Sequence, residues 1–134
     1  MITQKSINDL AYKIIGCAIE VHKELGPGLL ESIYQKYLEE ELRNQNLNFI
    51  SQLRIPIKYK NIEIDCDLRL DILVENLIVV ELKSVETLLP LFNAQLLTYM
   101  KPLKKPKGLL INFNSDNIVN NTTSLVNQYF SELL

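Results

Sequence analysis

The sequence has no tryptophan, one histidine (His22), two cysteines (Cys17 and Cys66) and four glycines in 134 residues. Each shortage excludes something. Two cysteines cannot build a disulfide scaffold, and with a single histidine no Cys/His zinc cluster can be assembled. So few glycines rule out a collagen-like repeat. No apolar run approaches the roughly 18 residues of a membrane span, and the opening MITQKSINDL lacks a basic stretch followed by an apolar core. Charge of one sign is also missing. Fourteen Lys and Arg against sixteen Asp and Glu leave a net −2, so any contact with nucleic acid must be local. What is present is a 47% hydrophobic complement, enough to build a core and to exclude disorder. The expectation is one soluble, cytoplasmic domain over residues 1–134, in which a hard-metal site made of carboxylates stays open.

From Ser6 to Leu25, apolar residues including Ile7, Leu10, Ile14 and Ala18 recur at three- and four-residue steps, which predicts an amphipathic helix. Gly26-Pro27-Gly28 stops it. A second helix is expected from Leu29 to about Asn46. The period then changes to two: Leu53, Ile55, Ile57 and Tyr59 read as one strand, and Ile62 to Ile72 as a second with one apolar and one charged face. A turn at Glu75-Asn76 leads into LIVVELK, Leu77 to Lys83, whose β-branched density predicts a buried central strand. Pro90 opens a third helix that should end before Pro102. A basic loop, Lys101 to Lys107, precedes a strand at Gly108–Phe113, and Thr122 or Thr123 is a plausible cap for a last helix ending at Leu133. The prediction is an α/β fold: a mixed central sheet of about four strands flanked by helices, with a βαβ crossover from Leu77–Lys83 to Gly108–Phe113.

Residues two apart on a strand share a face, so Glu81 and Lys83 project together. Asp71 lies on the charged face of the preceding strand, and a hairpin between the two would bring it within a diagonal step or two of Glu81, about 7–8 Å per step. Two carboxylates and an ammonium ending an apolar strand are unfavourable unless something pairs them. A solvated, salt-bridged strand end is one solution. A divalent cation is the other, and Mg²⁺ favours one or two carboxylates together with waters and phosphate oxygens, a set that Asp71, Glu81 and the Leu82 carbonyl would provide. Lys83 would then orient or help deprotonate the attacking water and stabilise charge developing on phosphorus.

Gly28-Leu-Leu-Glu31-Ser-Ile-Tyr34 resembles the GxxExxY signature of a family of small proteins in the PD-(D/E)xK nuclease superfamily. The resemblance extends over about residues 7–114, through Val21 to Gly28, Arg69-Leu-Asp71, Val80-Glu81-Leu-Lys83, Ala94 to Tyr99 and Gly108 to Phe113. It implies a restriction-endonuclease-like core with Glu31, Asp71, Glu81 and Lys83 as catalytic residues and Mg²⁺ or Mn²⁺ held by Asp71, Glu81 and Glu31. Gln95 and Tyr99 resemble an auxiliary Gln-x-x-x-Tyr motif that positions nucleic acid, DNA in the first instance. One position departs from the family: many relatives carry a histidine where this chain has Phe92.

Several residues admit two readings. Glu31 stands in the first turn of its helix, where the dipole favours a carboxylate in any case. Tyr34 suits either the core or the site; His22 suits a partly buried structural place or one just behind the site. Arg69 shares its face with Asp67 and Asp71, so it forms a salt bridge or meets a phosphate. The lysines of the 101–107 loop are solvated or hold a phosphate backbone. Cys17 and Cys66 both occupy apolar stripes and are expected in the core. The functional expectation is a metal-dependent nuclease, the alternative a non-catalytic nucleic-acid-binding or protein-interaction module retaining the fold. Either favours a homodimer or an accessory partner, because so small a chain offers little recognition surface.

Overall fold

The computed structural model describes residues 1–134. Helix α1 (Gln4–Leu25) begins two residues before the expected Ser6, because Thr3 caps it: Thr3 Oγ1 accepts from the Ser6 N–H, while Ser6 Oγ accepts from the Thr3 N–H. Gly26 (φ 68°) and Gly28 (φ 102°) turn the chain through backbone angles that L side chains resist, and α2 (Glu31–Asn44) starts directly after. Seven strands follow and interleave with two more helices: β1 (Phe49–Arg54), β2 (Ile57–Tyr59), β3 (Ile62–Ile64), β4 (Arg69–Val74), β5 (Ile78–Lys83), α3 (Pro90–Leu103), β6 (Lys107–Asn112), β7 (Thr122–Val126) and α4 (Gln128–Ser131).

Five strands form a mixed sheet in the order β1-β4-β5-β6-β7. β4 and β5 make an antiparallel hairpin across Glu75 and Asn76, both with positive φ, the geometry of a tight primed turn. β5 and β6 are parallel, joined by α3 in the expected crossover. Buried Ile78, Val80, Leu82, Leu109 and Ile111 face α1 and α2, whereas Val79 and Leu110 face Leu96 and Met100 of α3. The sheet is thus covered on both faces, as its continuous apolar strands require.

Four differences from the sequence expectations have physical causes. The expected 53–59 strand breaks at Pro56, which cannot donate to a ladder, and the expected 62–72 strand breaks at Asp65–Leu68, where Asp67 takes φ 50°. The pieces β2 and β3 leave the main sheet as a separate hairpin, so Ile62, Ile64 and Cys66 are exposed; Cys66 is not a core residue, while Cys17 is buried. Helix α3 runs through Pro102, whose fixed φ is helical and which forfeits only its own N–H bond, and ends at Leu103, after which Lys104 adopts a left-handed cap and the Lys105 N–H closes on the Met100 carbonyl. Thr122 and Thr123 are not caps: as β-branched residues they open a fifth sheet strand, β7, and Asn127 caps the short α4.

Gly108 lets α3 lie close to the sheet. A Cβ there would stand 2.7 Å from Met100 Sδ and 2.9 Å from Leu96 Cγ. Gly108→Ala is therefore expected to destabilise the protein by about 1–3 kcal/mol through overpacking, measured by urea unfolding; an unchanged midpoint would mean that α3 yields freely.

Candidate active site

The β4–β5 ladder stops at Ile72–Val80, one step short of Asp71 and Glu81. Beyond that step carboxylates replace carbonyls as acceptors. The Asp71 N–H donates to Glu81 Oε1 (3.0 Å) and the Leu82 N–H donates to Asp71 Oδ2 (2.8 Å). The β1–β4 ladder skips the same level: Ser51 and Leu53 pair with Ile72 and Leu70, but Gln52 between them sits at φ 54° and does not pair. The Asp71 carbonyl instead accepts from Gln35 Nε2 (3.2 Å), and Gln35 Oε1 accepts from Gln52 Nε2 (2.9 Å). The Asp71 main chain is therefore fastened by side chains from β5 and α2, while its carboxylate takes the Leu82 backbone N–H. A strained non-glycine backbone in mid-strand beside it is the kind of outlier that functional sites retain.

Burial, then the charge of neighbouring Asp71, pushes the Glu81 carboxyl up to about 8. Burial also raises Asp71 above its usual range, against the opposing pull of the Leu82 N–H, the Gln52 amide and the Lys83 ammonium. At neutral pH the pair shares a proton, a state that follows when two crowded carboxyls cannot both ionise. Lys83 forms no ion pair with either; its Nζ lies 4.4 Å from the centroid of the Phe92 ring. Around these groups is a small pocket of about 70 Å³ lined by Arg69, Glu81, Lys83, Phe92, Gln95, Leu96, Tyr99 and Leu110. Gln95 and Tyr99 face it from α3, one helical turn apart. Burial first, and the Glu81 charge second, raises the Tyr99 hydroxyl.

Glu31 stands apart from the carboxylate pair. It opens α2 without a side-chain cap, and its Oε1 accepts from the Ser84 N–H (3.3 Å), the residue after Lys83, while its charge contributes to raising Glu81. No three acidic, histidine or cysteine side chains converge as a cation cage. Two carboxylates with hard oxygen donors, each using one oxygen on a backbone N–H, still fit a cation such as Mg²⁺ that keeps most of its waters.

The remaining sequence candidates are structural neighbours of the site. Tyr34 is buried, donates to the Gly26 carbonyl (2.5 Å), accepts from the Leu29 N–H (3.1 Å) and stacks on Phe113 at 4.4 Å, so it anchors the Gly-rich turn. His22 Nε2 meets the Ser115 carbonyl at 2.7 Å and holds the loop after β6, away from the acids. Arg69 pairs with Asp67 (3.1 Å), not with Asp71, while lining the pocket. Lys105 and Lys107 of the basic run donate to Asn76 and Asn8 at 2.8 and 2.9 Å. Lys101 instead lines a cleft of about 760 Å³ between α3 and the β2–β3 hairpin, together with Lys58, Glu63 and Thr98.

Sequence reasoning missed Gln35 and Gln52, and marked Phe92 only as a departure from the family. Gln35 follows Glu31 by four residues, so helical spacing alone puts them on one face. Gln52 carries no such signal. No helix is long and apolar enough to cross a membrane. A model of the PD-(D/E)XK nuclease superfamily matches residues 8–124, a span containing every group just described. No curated protein and no solved structure matches the chain. With its mixed sheet flanked by helices and a paired acid and E-x-K strand at the end of a hairpin, the chain belongs to the PD-(D/E)XK nuclease superfamily.

Proposed function

We propose that this protein is a divalent-metal-dependent nuclease that hydrolyses phosphodiester bonds in DNA, in the GxxExxY branch of its superfamily. The observation that carries the reading is the crowding of Asp71 and Glu81 where both flanking ladders lapse, with Lys83 on the same strand face. The signature residues support it. Gly28 makes the turn, Tyr34 anchors it, and Glu31 ties the start of α2 to Ser84 at the end of β5.

Asp71 and Glu81 would hold Mg²⁺ or Mn²⁺, with Glu31 adding negative charge from farther off. When bound, the cation supplies Lewis-acid polarisation of the phosphate and of the attacking water. The protein's own groups do the rest. Lys83 orients the water and stabilises charge on the phosphate oxygens; Gln95 and Tyr99 position the strand; Arg69 meets a neighbouring phosphate. On this reading the protein works in the cytoplasm as a homodimer or with an accessory partner that widens its recognition surface.

The test is cleavage of labelled single-stranded DNA, double-stranded DNA and RNA with Mg²⁺, Mn²⁺ or EDTA. Metal-dependent cleavage of DNA supports the reading. Cleavage of none, with no Mn²⁺ binding by calorimetry, overturns it in favour of a non-catalytic binding module. The cleft between α3 and the hairpin suits the strand beyond the scissile bond, because Lys58 and Lys101 face it from opposite walls. Lys58→Glu with Lys101→Glu is expected to weaken DNA binding and to reduce the slope of log K against log salt by about 2. Fluorescence anisotropy across a salt series checks this, and an unaltered slope would place the strand elsewhere.

A further inference from the structure

Lys83 lines the pocket without forming an ion pair, although Asp71 and Glu81 are close enough to feel its charge. What holds it is a ring. Phe92 stands in the first turn of α3, fixed by its N–H to the Leu89 carbonyl (3.0 Å) and packed against the apolar cluster of Leu96, Met100 and Leu110. Its face lies 4.4 Å from Lys83 Nζ, well within the range of a cation–π contact.

We propose that Phe92 is the positioning residue for Lys83: its ring draws the ammonium to the α3 side of the pocket and keeps it off the two carboxylates. A flexible lysine freed from that ring would fall onto Glu81 or Asp71, where an ion pair is the next available partner. That collapse has two costs. The ammonium leaves the place from which it meets the phosphate, and it competes with the cation for the same oxygens. An aromatic ring does this work better than a carboxylate would, because it attracts the cation without adding an anion beside two buried carboxyls that already resist ionising together.

The inference rests on the reading of Lys83 as a participant in phosphodiester hydrolysis, so its test includes readouts independent of turnover. In ¹³C-lysine-labelled protein the Lys83 Hε signals should be shifted upfield by the ring current, a shift lost in Phe92→Leu and kept in Phe92→Tyr. Mn²⁺ binding, followed by calorimetry, should weaken about five- to thirtyfold in F92L, the range a cation–π contact supports. In a Lys83→Met background the same F92L change should leave Mn²⁺ affinity unaltered. With a cleavable oligonucleotide, kcat should fall about five- to thirtyfold in F92L with KM within twofold, and F92Y should restore it.

Leucine keeps an apolar side chain in place of the ring, and matching urea midpoints for the three proteins establish that all are folded. An absent ring-current shift in the wild type overturns the proposal, as does equal loss in F92L and F92Y or a loss of Mn²⁺ affinity that persists without Lys83. Failure of the wild type to cleave any substrate overturns the hydrolase reading alone, and the resonance shift still decides where the ring holds Lys83.

Discussion

Lys83→Ala is expected to slow phosphodiester cleavage about 10²–10³-fold at saturating Mg²⁺, with DNA affinity and the unfolding midpoint nearly unchanged. The rate follows from the proposed role: a single preorganised donor aimed at developing charge supplies about 3–4 kcal/mol. The unchanged stability follows from the surroundings. Lys83 enters no ion pair, and its removal leaves Phe92 packed on the α3 cluster with no buried polar atom stranded. Single-turnover cleavage of a labelled oligonucleotide, run beside anisotropy and urea unfolding, measures all three. Full activity in the variant would remove Lys83 from the chemistry. A lowered midpoint with proportionate loss of activity would make it a structural residue.

Glu81→Gln is expected to act in two directions at once. Turnover should fall by about 10³ or more, because the amide cannot replace a carboxylate as a cation ligand. Stability of the metal-free protein at pH 8 should rise. The sign follows from the raised carboxyl: its ordinary value is 4.5 and its folded value about 8, so the folded state binds the extra proton over that window. The stabilisation is fully present below pH 4.5 and is lost as pH rises through 8, an effect on the order of 5 kcal/mol. Glutamine is permanently neutral and can still accept the Asp71 N–H, so the variant should lack this decline. Unfolding midpoints between pH 5 and 8.5 without metal give the two slopes, and Mg²⁺ should restore the wild type at pH 8 by binding only the folded protein. Parallel slopes would mean that Glu81 ionises normally in the fold.

Alternation was enough to bring the candidate site groups together. Asp71, Glu81 and Lys83 are odd-numbered residues on two strands joined by a tight turn, so one strand periodicity and one hairpin determine their common face. The LIVVELK run announced a strand covered on both sides, and that is where β5 lies. What stayed hidden depends on partners far apart in the chain. Gln52 reaches Gln35 across 17 residues and Glu31 reaches Ser84 across 53, distances at which no local spacing speaks. The apolar alternation of Ile62, Ile64 and Cys66 read as a buried face, yet Pro56 releases this segment from the sheet and nothing covers it. Thr122 and Thr123 have the chemistry of caps and of strands alike, and pairing with Leu110 and Ile111 decided between them.

The two amide protons of Asp71 and Leu82 are wired to the carboxylates, not to the sheet. Every event at the acids, whether loss of the shared proton or arrival of a cation, changes the acceptor that each amide meets. Their nitrogen and proton resonances thus serve as a built-in gauge of site occupancy, legible in a single heteronuclear spectrum without substrate. The same wiring makes the open end of the β4–β5 hairpin a sensor as well as a scaffold: a cation that draws the carboxylates outward loosens the tie between β4 and β5, and hydrogen exchange at these two positions would register the change while Ile72 and Val80, still laddered, remain protected.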